Sequence, residues 1–284
     1  MNADSRTAAD ALRRALASPI YNPTLRKEVG LGRLDYEVYL RTADLYALQT
    51  PAEHLVVHDE MVFQILHQTQ ELWLKCLSFE AVRVVEDLDA ARPFAVSATL
   101  DRMVSVARCL QRDIEVLFTL SPDVFQVIRR SLGNGSGLES PGYNRMIVAA
   151  EAVAEAYERM RAARGVSLRD VYLVRAHPDL HRIAEQLCDL DGAFQGWLMA
   201  HFTLVRRTIG IDRSVRALDG FPTQALAPRM TKPLFPALWE LRVALTKDWS
   251  REGGFAPGEG RASTAGSGEH LIAPEPGPKA RDAP

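Results

Sequence analysis

Apolar side chains recur at three- and four-residue steps along most of this chain, the spacing that lines one face of an α-helix. From His58 to Leu88 the series Met61, Ile65, Leu66, Leu72, Trp73 and Leu77 runs without a proline or glycine, which predicts a long, largely buried helix. Residues 97–120 repeat the pattern and predict a second helix. Ser121–Pro122 opens a third, with serine as N-cap and proline at the first helical position, and Gly133 ends it in the flexible run NGSG. Further helices are predicted at about 142–164, 178–188 and 189–209, the last broken near Gly210, and a final one at about 233–247 with Pro233 near its start. No pair of alternating strands and no internal repeat interrupts this. The fold class is all-α, a helical bundle.

Composition divides the chain but does not alter that class. Residues 251–284 contain 7 Gly and 5 Pro with almost no large apolar side chain, too little to offset the entropy of ordering, so they read as a disordered tail. Residues 1–33 read as an N-terminal arm or peripheral helix, leaving 34–250 as the functional helical domain. Hydrophobic residues make up 47% and charged residues 25%, enough for a sizeable core, and the net charge of −2 shows no basic stripe for nucleic acid. No stretch approaches the roughly 20 apolar residues of a membrane span. The first twenty residues lack an apolar leader core, and Cys76, Cys109 and Cys188 are odd in number and widely spaced. They suit reduced thiols of a cytoplasmic protein.

The chemistry rests on histidines. His67 shares a helix face with Phe63 and Glu71, and His201 follows Trp197 by four residues and Phe194 by seven, with Val205 and Thr208 continuing the stripe. Two helices thus each place one histidine on an apolar, aromatic face. For either, a core histidine bonded to a backbone carbonyl is the plain alternative. A haem site asks for little more: one neutral imidazole on the iron and an aromatic-rich cleft between helices. Periodicity does not say which histidine would be proximal and which distal. Other metal sites fit worse. The paired Glu-x-x-His motifs of di-iron bundles are missing, and His54/His58 and His177/His181 lack an HExxH pattern, with Pro178 putting His177 at a helix start. Asp59–Glu60 is helix-start charge. Arg129, four residues after Phe125 and just before the glycine-rich loop, is a solvated charge unless it turns inward, where its fork would hold a carboxylate at about 1.5–3 kcal/mol.

Five ordered segments resemble the tryptophan 2,3-dioxygenase family: LDYEVYLRTADLYALQ (34–49), HDEMVFQILHQTQELWLK (58–75), LSPDVFQVIRRSLGNGSGLES (120–140), FQGWLMAHFTLVRRTIG (194–210) and LFPALWELR (234–242). The resemblance implies an all-helical, homotetrameric haem b enzyme that uses O2 on the indole C2–C3 bond. It implies His201 as the proximal iron ligand, His67 as the distal histidine accepting the indole N–H, Phe63 as the aromatic wall and Arg129 as the carboxylate clamp. Tyr36, Tyr39 and Leu40 match residues that a neighbouring subunit inserts to complete the pocket. The chain also departs from the family. Phe125 stands where the family usually has tyrosine, and residues 211–220 read IDRSVRALDG in place of a Gly-Thr-Gly-Gly-Ser type lid. About 50 residues are missing between Ser140 and the proximal helix, by ordinary helix and loop lengths. The haem machinery is retained and the headgroup side altered, which points to tryptophan or a substituted tryptophan, with Asp219 replacing the ammonium-binding groups. Dioxygenation to an N-formylkynurenine-type product and monooxygenation to a 2-oxindole both remain open, as do a tyrosine-type ring hydroxylase and a non-catalytic helical scaffold.

Overall fold

The computed structural model describes residues 8–17, 34–135, 137–173 and 176–248. They form two compact units, Met1–His54 and Leu55–Pro284. In the first lie helices α1 (Ala8–Ala17), α2 (Asp35–Leu40) and α3 (Thr42–Tyr46). The second contains α4 (Glu60–Asp89), α5 (Pro93–Asp113), α6 (Pro122–Arg129), α7 (Pro141–Ala163), α8 (Leu168–Leu173), α9 (Pro178–Thr208), α10 (Ala227–Met230) and α11 (Pro236–Lys247), with a 3-10 turn over Ile114–Thr119. Among the described residues the only β pairing is an isolated bridge between Arg216 and Pro222. The all-α expectation holds. The tail 251–284 and most of the arm 1–33 lie outside the described residues; α1 is the part of the arm that is described.

Proline punctuates the second unit. Pro93, Pro122, Pro141, Pro178 and Pro236 each occupy the first turn of a helix, where the missing N–H has no intrahelical partner to lose and φ is already helical. The last helix therefore begins at Pro236, and not near Pro233. The predicted break at residues 188–189 is absent: α9 runs unbroken through Gly192 and Gly196. A Cβ on Gly196 would stand 2.6 Å from the Gln111 side chain of α5, so this glycine serves close helix approach. The helix does end at Gly210, which takes the left-handed conformation at φ 82°. The third predicted helix stops earlier than expected, at Arg129, and a turn follows to Gly133.

α4 packs against both α5 and α7, and α9 packs along α5. Leu74, Leu77, Val84 and Leu88 of α4, Leu100, Met103 and Leu110 of α5, and Leu180, Ile183, Leu190 and Phe194 of α9 are almost completely buried. Each such side chain contributes on the order of 1.5–3 kcal/mol by leaving water. Two polar ties hold the frame in register. Trp197 Nε1 of α9 donates to Gln70 Oε1 of α4 at 3.1 Å. Asp191 of α9, fully buried, accepts from Leu234 N (3.0 Å), Phe235 N (3.1 Å), Trp239 Nε1 (2.7 Å) and Gln195 Nε2 (2.9 Å), and so anchors the start of α11.

Candidate active site

A cavity of about 460 Å³ opens between α4, α6, α7 and α9, covered by the loop before α7 and by residues 217–230. It is lined mostly by apolar side chains, and its volume suits a small-molecule or cofactor site. Phe63 and His67 enter from α4, Phe125 and Arg129 from α6, and His201 from α9. Helical spacing explains the α4 face: positions 63, 67, 70, 71 and 74 all reach the cavity.

The two imidazoles are fixed in different ways. His67 Nδ1 lies 2.7 Å from the Phe63 carbonyl oxygen one turn back. A carbonyl only accepts, so the Nδ1–H donates and Nε2 is left with a lone pair. The His67 and Phe63 rings lie 4.2 Å apart, and Phe63 meets Phe125 at 6.0 Å. Burial pushes the His67 pKa below its ordinary value, partly opposed by the Phe63 carbonyl and by Glu71. The His201 pKa falls further, to about 4, chiefly through burial and to a lesser degree through His67. Both rings are thus neutral near pH 7. The His201 ring makes no hydrogen bond among the described residues, and a Cβ on Gly137 would stand only 3.4 Å from its Cε1 and Nε2. Gly137 therefore packs beside that ring edge, where a Cβ would make an ordinary van der Waals contact. A neutral imidazole that lines a mostly apolar cavity and makes no hydrogen bond is suited to axial ligation of a planar metal cofactor.

The remaining predicted residues are placed as follows. Arg129 Nη2 donates to the Arg216 carbonyl at 2.6 Å, tying α6 to the 211–220 loop. That loop contributes Ala217 and Leu218 to the cavity. Asp219 is exposed and does not line the cavity; its Oδ1 accepts from Phe221 N at 2.9 Å and so shapes the turn. Tyr36, Tyr39 and Leu40 belong to α2 in the first unit and are 68%, 86% and 45% exposed. His177 is the N-cap of α9, off the helical face of His181, as Pro178 predicted. No group of three or more potential metal-ligating side chains occurs among the described residues.

Sequence reasoning did not single out Gln70, Tyr143 or Arg229, all of which line the cavity. Gln70 follows His67 by three residues, so the helical stripe contained the signal. Tyr143 and Arg229 arrive from other elements, and only tertiary structure brings them here. A second depression, about 490 Å³ beside Arg108, Glu185, Trp239 and Arg242, is polar and holds no histidine. Its Arg242 and Glu185 already pair at 2.7 Å.

Comparison with known proteins decides the family. Residues 23–149 match the family model described as tryptophan 2,3-dioxygenase. A tryptophan 2,3-dioxygenase of Xanthomonas oryzae pv. oryzae is 30% identical, over 83% of this chain and 94% of that protein. The chain belongs to the tryptophan 2,3-dioxygenase family. Relatives of the same name from Xanthomonas campestris pv. campestris (30% identical, 76% of this chain, 89% of the relative) and Herpetosiphon aurantiacus (27%, 75% and 98%) agree. The protein is therefore an oxygenase of this family, with an all-α fold. The Xanthomonas oryzae alignment spans 288 positions but uses only 83% of the 284 residues here, so about fifty of its positions face gaps in this chain.

Proposed function

We propose that this protein is a haem-dependent oxygenase acting with O2 on the indole ring of L-tryptophan or a substituted tryptophan. One observation carries the reading: two neutral imidazoles, on α4 and α9, line one apolar cavity in a member of this family. His201 is the residue to hold haem iron, through a nitrogen that no described group occupies. Haem, when bound, supplies the activation of oxygen. The chain's own groups bind and orient the substrate. His67, with its Nδ1–H committed to Phe63 O, turns an acceptor nitrogen to the indole N–H. Phe63 and Phe125 wall the ring, and the neighbouring apolar lining excludes water. Arg129 clamps the substrate carboxylate with the donors that Arg216 leaves unused.

Asp219 lies outside the cavity lining, one residue from Leu218, so its proposed role toward the substrate ammonium requires the 211–220 loop to turn it inward when substrate binds; an unchanged substrate dissociation constant in Asp219→Asn would remove it from that role. A homotetramer is proposed, with Tyr36, Tyr39 and Leu40 completing a neighbour's pocket, since three such side chains exposed together suit burial against another chain. A second feature supports association: Val62, Ile65, Leu72 and Phe79 form an exposed stripe on α4 at heptad-like spacing. Light scattering of the purified protein tests this, and a monomer would contradict it. The cytoplasm is the proposed compartment; no helix among the described residues is long and apolar enough to cross a membrane.

The reading is tested by anaerobic titration of the ferrous protein with tryptophan, substituted tryptophans and tyrosine, followed by labelled O2 and product mass. Spectral response to indole amino acids and label in the product are expected. Two atoms mark dioxygenation and one marks monooxygenation; response to tyrosine alone would overturn the indole assignment.

A further inference from the structure

His201 divides the cavity unequally along α9. Trp197 stands one helical turn before it, roughly 6 Å along the axis, and Thr208 stands about two turns after it, roughly 10 Å along. A planar cofactor held through His201 extends into both arms. The short arm is built around Gln70, Glu71 and Trp197. The long arm is lined by Thr208 and Ile209 and covered by residues 217–230, with Arg129 and Arg229 beside that cover.

The two arms differ in charge. At the short arm the Glu71 carboxylate accepts from the Ser140 hydroxyl and from Gly142 N (2.9 Å). A neutral donor, Gln70 Nε2, is buried there without a hydrogen-bond partner. A second carboxylate brought to this arm would meet a like charge. At the long arm both charged groups are cations. Arg129 Nη2 is tied to Arg216 O at 2.6 Å. Arg229 is exposed at the cavity mouth, and its guanidinium lies 4.7 Å from the centre of the Phe221 ring. It makes no ion pair or hydrogen bond among the described residues. An aromatic face steadies a guanidinium and leaves the N–H donors at its edge for an anion.

Haem b has the same asymmetry. Its two propionates share one edge, reach farther from the iron than the methyl and vinyl groups opposite, and carry two negative charges. The proposed substrate is a zwitterion without net charge, so two guanidinium groups balance the loaded site and Arg129 alone would leave it one charge short.

We infer that Arg229 binds a haem propionate, so that the carboxylate edge of the cofactor lies in the long arm and Arg129 stays available for the substrate. This rests on the reading of His201 as the iron ligand and adds a cofactor-binding residue from a different element, α10.

The test is titration of the full haem-free chain with protohaem and with its dimethyl ester, in which both propionates lose their charge. Wild type should bind protohaem about fivefold more tightly than Arg229→Gln does, the worth of a charged contact partly screened at a cavity mouth. The dimethyl ester should bind the two proteins equally. Gln70→Leu should change the affinity for both haems by the same factor, whatever it does to packing. Equal protohaem affinity in wild type and Arg229→Gln would overturn the inference alone, as would a loss that the ester shows in equal measure. A Gln70→Leu loss confined to protohaem would put the propionates in the short arm and overturn it too. Failure of wild type to bind either haem would overturn the reading of His201, and this inference with it.

Discussion

Asp191→Asn offers a sharp test of how the fold holds the cavity's cover in place. The carboxylate is fully buried, and its two oxygens share four donors: Leu234 N and Gln195 Nε2 on Oδ1, Phe235 N and Trp239 Nε1 on Oδ2. Asparagine keeps the shape but only one oxygen. Whichever way the amide turns, two N–H donors then face an NH2 group and lose their acceptor. A hydrogen bond to a charged partner is worth about 1.5–3 kcal/mol, so two lost bonds come to roughly 3–6 kcal/mol. Relief from burying the charge offsets part of this, leaving a net loss of about 2–5 kcal/mol. Because the bonds fasten the segment that follows α10, the segment bearing Arg229 and Met230 should loosen first, while α4, α5 and α7 stay packed. Urea unfolding followed by far-UV circular dichroism measures the loss, and hydrogen exchange locates it. A variant within about 0.5 kcal/mol of wild type, the scale of an inconsequential substitution, would refute the reasoning.

Acid offers a second prediction. His201 titrates near 4 in the folded chain against 6.5 for the ordinary group, so below pH 6.5 the unfolded chain takes up a proton that the folded chain refuses. Stability of the haem-free protein should therefore be full above pH 6.5 and fall as pH drops towards 4, by at most about 3 kcal/mol. His201→Phe should flatten that slope in urea midpoints, and an equal slope in both proteins would contradict it. Gly142→Ala would bring a Cβ to 2.6 Å from Leu74 Cβ and 2.7 Å from Glu71 Oε2, and a loss of about 1–3 kcal/mol is expected in thermal unfolding. His67→Ala should abolish most turnover while haem loading, read by absorbance, stays unchanged; full activity would remove its assigned role.

Much of this architecture could be read along the chain because local and tertiary preferences agree. The run from His58 to Leu88 is helical in period and has no breaker, and α4 spans Glu60–Asp89. The stripe that joins Phe63 to His67, and Trp197 to His201, identified two cavity-facing surfaces before any packing was known. Where packing overrides local signals, the reading failed. Gly192 and Gly196 suggest weakness in a helix, yet close approach of α9 to α5 makes use of Gly196. Pro233 and Pro236 are equally good starts in isolation, but Asp191 binds the N–H groups of Leu234 and Phe235, so those groups lie outside the helix and α11 begins at Pro236. The Arg129 bond to Arg216 spans 87 residues, and the Gln70 bond to Trp197 spans 127. No local pattern encodes such partners.

The central claim, that α9 presents an imidazole for axial ligation, is tested most directly by titrating wild type and His201→Ala with haem and recording ferric and ferrous spectra. Wild type should bind one haem per chain with an imidazole-ligated spectrum. His201→Ala should lose that signature and much of its affinity, with added imidazole restoring the spectrum. An unchanged spectrum and affinity in His201→Ala would contradict the account.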